Sequence, residues 1–128
     1  MDITLIQGQF DEARQYFSCL ELHPTLNAKV YVRAALQPSA QCYYVLSVYF
    51  PDTYPYEMPK VFVNKPEINL FPPHRYSTGN ICYLHPTMWN PGQHNLLFVI
   101  QRAAKWLSKY EVWKQNGRIW PGAEIIHR

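Results

Sequence analysis

The chain reads Tyr49-Phe50-Pro51-Asp52-Thr53-Tyr54-Pro55-Tyr56-Glu57-Met58-Pro59-Lys60-Val61, and after a polar connection continues as Gly79-Asn80-Ile81-Cys82 and then Trp89-Asn90-Pro91. These three pieces decide its reading. Eleven prolines are unusual for 128 residues, and they concentrate between Pro51 and Pro91. The residue before each proline is pushed out of the helical region, so this part must consist of turns and short extended pieces held by aromatic packing. Cys82, inside it, is the residue to explain. A cysteine with its ordinary pKa near ~8.5 is only a few per cent thiolate at neutral pH, so a nucleophilic Cys82 needs a nearby cation, imidazole or row of backbone N–H groups.

Composition narrows the classes. The length suits one domain spanning residues 1–128, with a single core. Hydrophobic residues make up 48% and charged residues 16%, which excludes a disordered chain. No apolar run approaches the ~20 residues of a membrane span, and Asp2 argues against a secretory leader. A cytoplasmic protein without membrane contact is expected. Three cysteines, 23 and 40 residues apart, fit neither a disulfide framework nor a zinc site, so reduced thiols and no metal are expected. The net charge of +3 comes without any Lys/Arg stripe, which speaks against nucleic acid as a partner.

The order of elements follows from periodicity. Ile6, Phe10, Ala13, Phe17 and Leu20 recur at helical spacing and predict an amphipathic helix from about Leu5 to Leu22. The alternation Val30/Val32/Ala34/Leu36 predicts a strand over Lys29–Leu36, and Pro38-Ser39-Ala40 turns it into a second strand, Cys42–Phe50, to make a hairpin. A short third strand, Val61-Phe62-Val63, follows the proline-rich turn. Asn95 caps a helix whose stripe is Leu96, Val99, Ile100, Ala103, Leu107, Tyr110 and Lys114, with Gln101, Arg102, Lys105 and Ser108 facing water. Asn116-Gly117 ends it.

The proline-rich run resembles the "FP…YP…PPKV" signature of the ubiquitin-conjugating (UBC) family, and Gly79-Asn80-Ile81-Cys82 with Trp89-Asn90-Pro91 resembles that family's active-site loop. The resemblance covers most of Tyr43 to Trp113. It implies an α+β fold with an N-terminal helix, an antiparallel meander, an irregular cysteine loop and C-terminal helices. It also implies that Cys82 carries a protein C-terminus as a thioester. The family's His-Pro-Asn tripeptide is replaced by Pro72-Pro73-His74, and the spacing from Cys82 to Trp89 is one residue tighter. The ending, Trp106 to Trp113 followed by Asn116 to Glu124 and His127, is similar to bacterial UBC-like proteins of anti-phage cyclic-oligonucleotide signalling (CBASS) operons. In those relatives the conjugated carboxyl belongs to the cyclic-oligonucleotide synthase, so the resemblance implies that synthase as partner. A conjugator of a dedicated ubiquitin-like protein shares the chemistry. A catalytically silent UBC-like binding module is the alternative from a different class, although inactive members of the family usually lack the cysteine.

The catalytic candidates are Cys82, His74 and His85. His74 occupies the slot of the family's Asn, which is proposed to stabilise the oxyanion formed during aminolysis; an imidazole N–H could do the same and could also accept a proton. His85, before Pro86, reads equally as a turn residue. Gly79 allows a tight turn that could point N–H groups at the site, and Tyr76 and Tyr83 are candidate walls for an incoming tail. Cys19 and Cys42 read as buried small hydrophobes, and Trp89 as a pin for the loop after Cys82. No glycine-rich phosphate loop is present, so no cofactor is expected, and the chain needs either a separate adenylating enzyme or an acyl group activated in another way.

Overall fold

A computed structural model describes residues 1–40, 42–68, 74–115, 117 and 120–121. The expectations placed on Pro72, Pro73, Asn116 and His127 lie outside the described residues. Helix α1 (Ile3–Arg14) begins where the Asp2 side chain accepts from the Leu5 N–H at 3.0 Å, satisfying one of the donors a helix start leaves open. Four strands follow, β1 (Leu20–Pro24), β2 (Val30–Ser39), β3 (Cys42–Tyr49) and β4 (Lys60–Lys65), and then helix α2 (Leu96–Gln115). The strands form an antiparallel meander in the order β1-β2-β3-β4.

The first helix is shorter than its periodicity predicts. The chain turns after Arg14, with the Tyr16 and Phe17 N–H groups both donating to the Ala13 carbonyl. Leu20-Glu21-Leu22 then alternates inward and outward as strand β1, pairing Leu20 with Ala34 and Pro24 with Val30. Leu20 continues the helical spacing from Phe17 and also fits a period of two with Leu22, and pairing with β2 decides between them. The predicted hairpin is β2–β3, closed by the pair Ser39–Cys42, with a register irregularity between Leu36 and Ser39 at Pro38. β4 is longer than the three residues predicted.

One sheet face and the two helices enclose the core. Val32, Ala34 and Leu36 of β2, Tyr44, Leu46 and Val48 of β3 and Val61 of β4 are buried against Ile6, Phe10 and Ala13 of α1 and the apolar stripe of α2. That stripe contains Trp106 and Trp113 and not Lys114, whose ammonium lies over the Tyr110 ring. Asn95 caps α2 through its side-chain oxygen, which accepts from the Phe98 N–H at 3.0 Å. Gln9 ties three parts together, because its Oε1 accepts from the Leu96 N–H at 3.0 Å and from the Tyr54 hydroxyl. Across the outer face His23, Tyr31, Tyr49 and Phe62, one from each strand, make a ladder of ring contacts with centroids 5.1–5.7 Å apart. Gly117 has φ +64°, the left-handed conformation that ends many helices. No helix among the described residues is long and apolar enough to cross a membrane.

Candidate active site

The cysteine loop holds no regular element, as expected, but its residues 74–82 fold back on themselves in a tight turn around one isolated bridge. The Tyr76 N–H donates to the Asn80 carbonyl at 2.9 Å, Arg75 bridges Ile81, and the Cys82 N–H donates to the His74 carbonyl at 2.6 Å. Gly79 closes the turn with φ +96°, a region that side chains rarely tolerate, and its N–H donates to the Tyr76 carbonyl at 2.9 Å. The backbone N–H groups of Gly79 and Cys82 therefore hold the hairpin itself rather than pointing at a reacting group. The Ile81 N–H donates to the Val61 carbonyl at 2.9 Å, which hangs the hairpin on β4.

Two further bonds fasten the chain around Cys82 to the proline-rich turn. The Tyr83 hydroxyl donates to the Pro59 carbonyl at 2.6 Å, and the Trp89 indole donates to the Pro55 carbonyl at 2.8 Å. From the other side α2 supplies two donors. Arg102 Nε donates to the Tyr83 carbonyl at 2.8 Å, and Trp106 Nε1 donates to the His74 carbonyl at 3.1 Å. Residues 74–89 are thus clamped between the proline-rich turn and α2.

Cys82 is 5% exposed. The Tyr76 hydroxyl donates to it at 3.3 Å, and the thiol faces the Leu84 carbonyl at 3.5 Å. Arg102, Lys105 and Lys109 of α2 line a small cleft together with Cys82. Burial pushes the Tyr76 phenol up to about 12, with the bond to Cys82 acting in the same direction. Burial also holds Tyr83 and Tyr54 above the ordinary tyrosine range. Beside the hairpin, a groove of about 580 Å³ is lined by residues including Tyr56, Met58, Tyr76, Ile81, Tyr83 and Trp89. Three of these, Tyr76, Ile81 and Tyr83, touch or adjoin Cys82.

The family model describing the Type II CBASS E2 protein matches residues 9–128. This chain belongs to the E2-CBASS family. Among curated proteins none matches it. Among solved structures it is similar to human ubiquitin-conjugating enzyme E2 G1, with TM-score 0.58, 19% identity, and coverage of 82% of this chain and 93% of that one. A ubiquitin-conjugating enzyme E2 from Plasmodium falciparum gives TM-score 0.57 and 22% identity over 80% and 95% of the two chains. The yeast Vps23 UEV domain, solved with a Vps27 PSDP peptide, gives TM-score 0.55 and 13% identity over 84% and 92%. These likenesses show the UBC fold.

In this CBASS E2 protein the three predicted site residues take different positions. Cys82 and His74 are direct partners across the hairpin, through main-chain atoms. His74 is 2% exposed and sits at φ +60°, a conformation in which His and Asn are enriched among residues other than glycine. Its ring lies 5.2 Å from that of Trp120. His85 caps the 3₁₀ turn Pro86–Met88, its Nδ1 accepting from the Thr87 N–H at 3.2 Å and lying 2.7 Å from the Thr87 hydroxyl. All three cysteines are thiols; Cys19 is exposed and Cys42 half-buried, so the expected burial fails for Cys19 at the start of β1. Arg102 is a correction too, since it reaches the Tyr83 carbonyl instead of facing water. Of the two expected walls, Tyr76 contacts the sulfur directly, which its place in the hairpin signals: residues 74 and 82 are opposite, and residue 76 is their diagonal neighbour on the same face.

Proposed function

We propose that this E2-CBASS protein is a cysteine acyltransferase: Cys82 accepts a protein C-terminal carboxyl as a thioester and releases it to an amine. The observation that supports the reading best is Cys82, buried in a fastened turn whose Tyr76 both reaches the sulfur and lines an open groove. Low water access slows hydrolysis of a thioester, and the groove gives an extended tail an approach. In loading, the sulfur attacks an activated carbonyl, the C–S bond forms, and the activating group departs with its electron pair. In discharge, an amine attacks the same carbonyl, the C–N bond forms, and the C–S pair returns to sulfur. Arg102, Lys105 and Lys109, which share a cleft with Cys82, favour negative charge on its sulfur, on the thiolate before loading and on the departing sulfur in discharge. His74 supplies the oxyanion donor, and His85 is the second candidate for that place.

Activation of the carboxyl comes from a separate adenylating enzyme, and the cyclic-oligonucleotide synthase of the same anti-phage operon is the donor. A bacterial cytoplasm suits the three reduced thiols, and the 128 residues act as one UBC-like domain. A silent binding module is supported by the likeness to a Vps23 UEV solved with ubiquitin, at TM-score 0.55 and 15% identity. Intact mass of the protein purified with its operon separates the two readings. A thiol-sensitive adduct lost in Cys82→Ala, and retained in Cys19→Ser and Cys42→Ser, supports transfer. An adduct that survives Cys82→Ala sinks it, and equal partner capture by wild type and Cys82→Ala without any covalent species favours the module.

A further inference from the structure

We propose that Tyr76 is a further catalytic residue, its hydroxyl donating a hydrogen bond to the Cys82 sulfur both when the thiolate attacks and when it departs. The inference rests on the acyl-transfer reading of Cys82 and deepens it. The sulfur lies between two groups of opposite effect. The Tyr76 O–H, 3.3 Å away, is a donor and favours sulfur carrying negative charge; the Leu84 carbonyl, 3.5 Å away, is an acceptor and favours the protonated thiol. Without Tyr76, the side-chain surroundings on the hairpin side would lean toward the thiol. Tyr76 also lines the open groove, so one side chain links that groove to the sulfur.

A donor to a leaving thiolate has to keep its own proton. The Tyr76 phenol does so, because burial and the sulfur contact push it up to about 12, well above a thiol near ~8.5. In discharge the amine forms the C–N bond, its surplus proton passes to water, and the C–S electron pair settles on sulfur. Tyr76 transfers nothing and steadies the charge that arrives. Hydrogen bonds to ionised groups are about twice as strong as neutral ones, so the bond is stronger to the thiolate than to the thioester sulfur. That difference is what makes it catalytic.

The other groups facing Cys82 are Arg102, Lys105 and Lys109 on α2, the Tyr83 phenol beside it in sequence, and His74 opposite it in the hairpin. Tyr76→Phe leaves all of these in place and keeps the ring. Iodoacetamide alkylation of Cys82, followed by peptide mass mapping from pH 6 to 10, reads thiolate formation without any acyl donor. The expected midpoint lies about one pH unit higher in Tyr76→Phe than in wild type. A second measurement uses the Cys19→Ser/Cys42→Ser background, loaded by exchange with a synthetic peptide thioester and discharged with hydroxylamine. Discharge should be about tenfold slower in Tyr76→Phe. Superposable alkylation profiles, in variants whose thermal melts match wild type, overturn the hydrogen bond. Equal discharge rates overturn its catalytic part. If the operon-purified protein carries no thioester, the acyl-transfer reading fails on that result while the alkylation profile still decides Tyr76.

Discussion

Replacing Tyr83 by Phe removes one hydroxyl from the point where the cysteine loop meets the proline-rich turn. The hydroxyl donates to the Pro59 carbonyl at 2.6 Å, Tyr83 is 3% exposed, and Pro59 is fully buried. The variant therefore leaves a buried carbonyl without this donor, which costs about 1–3 kcal/mol. For a chain of 128 residues that corresponds to roughly 4 °C of melting temperature per kcal/mol. The pH dependence supplies a second test. Burial, and after it the neighbouring Tyr54, holds the folded Tyr83 phenol above its ordinary value, while in the unfolded chain it ionises near ~10. A group whose folded pKa is raised contributes stability that is fully present below the unfolded pKa and is lost as pH rises beyond it. Above about pH 10 wild-type stability should fall, and Tyr83 should account for up to about 1.4 kcal/mol per pH unit of the slope. Urea unfolding of wild type and Tyr83→Phe at pH 7, 9, 10 and 11 reads both effects. Coincident urea midpoints at pH 7 and parallel alkaline slopes would refute the reasoning.

Gly79→Ala should destabilise the protein by about 1–2 kcal/mol, because φ +96° is strained for any residue with a Cβ even though the added carbon meets only ordinary contacts, the closest at 3.8 Å. Matched urea curves for wild type and variant check it, and an unchanged midpoint contradicts it. His74→Ala should slow thioester discharge by about 10²–10³ while affecting loading far less; His74→Asn should recover discharge without an acid limb in the pH–rate profile. Asn also tolerates the left-handed backbone that His74 adopts, so a failure of Asn to rescue points to a proton acceptor and not to strain.

Much of this architecture was legible because several signals agreed locally. Asn95 and the stripe from Leu96 to Tyr110 define α2 from two directions, a cap and a period, and both hold in the structure. β1 was not legible, since Leu20 suits a helix extended from Ala13 as well as a strand shared with Leu22. Only its pairing with Val30–Ala34, distant in sequence, separates the two. Arg102 was misjudged for a related reason. A polar side chain on a helix reads as solvent-facing until the carbonyl it must satisfy is known, here that of Tyr83. Lys114 entered the predicted stripe by spacing alone, where Trp113 takes the buried place.

The site shows the same division between local and long-range information. Cys82 stood out in the sequence because its motif is contiguous, and Gly79 because a tight turn beside it needs a permissive residue. What surrounds the sulfur depends on register: once the turn at Gly79 sets His74 opposite Cys82, Tyr76 falls on the same face as the sulfur and Leu84 presents its carbonyl. The register in turn depends on bonds reaching back to Val61, Pro59 and Pro55. The proline-rich run therefore acts as the scaffold that aims the cysteine loop, with the Pro55 and Pro59 carbonyls, outside the strand ladder, used as anchoring points. A change in that run should alter the chemistry at Cys82 without touching it. The two motifs that first singled out this chain are, in the folded protein, the two sides of one hydrogen-bonded joint.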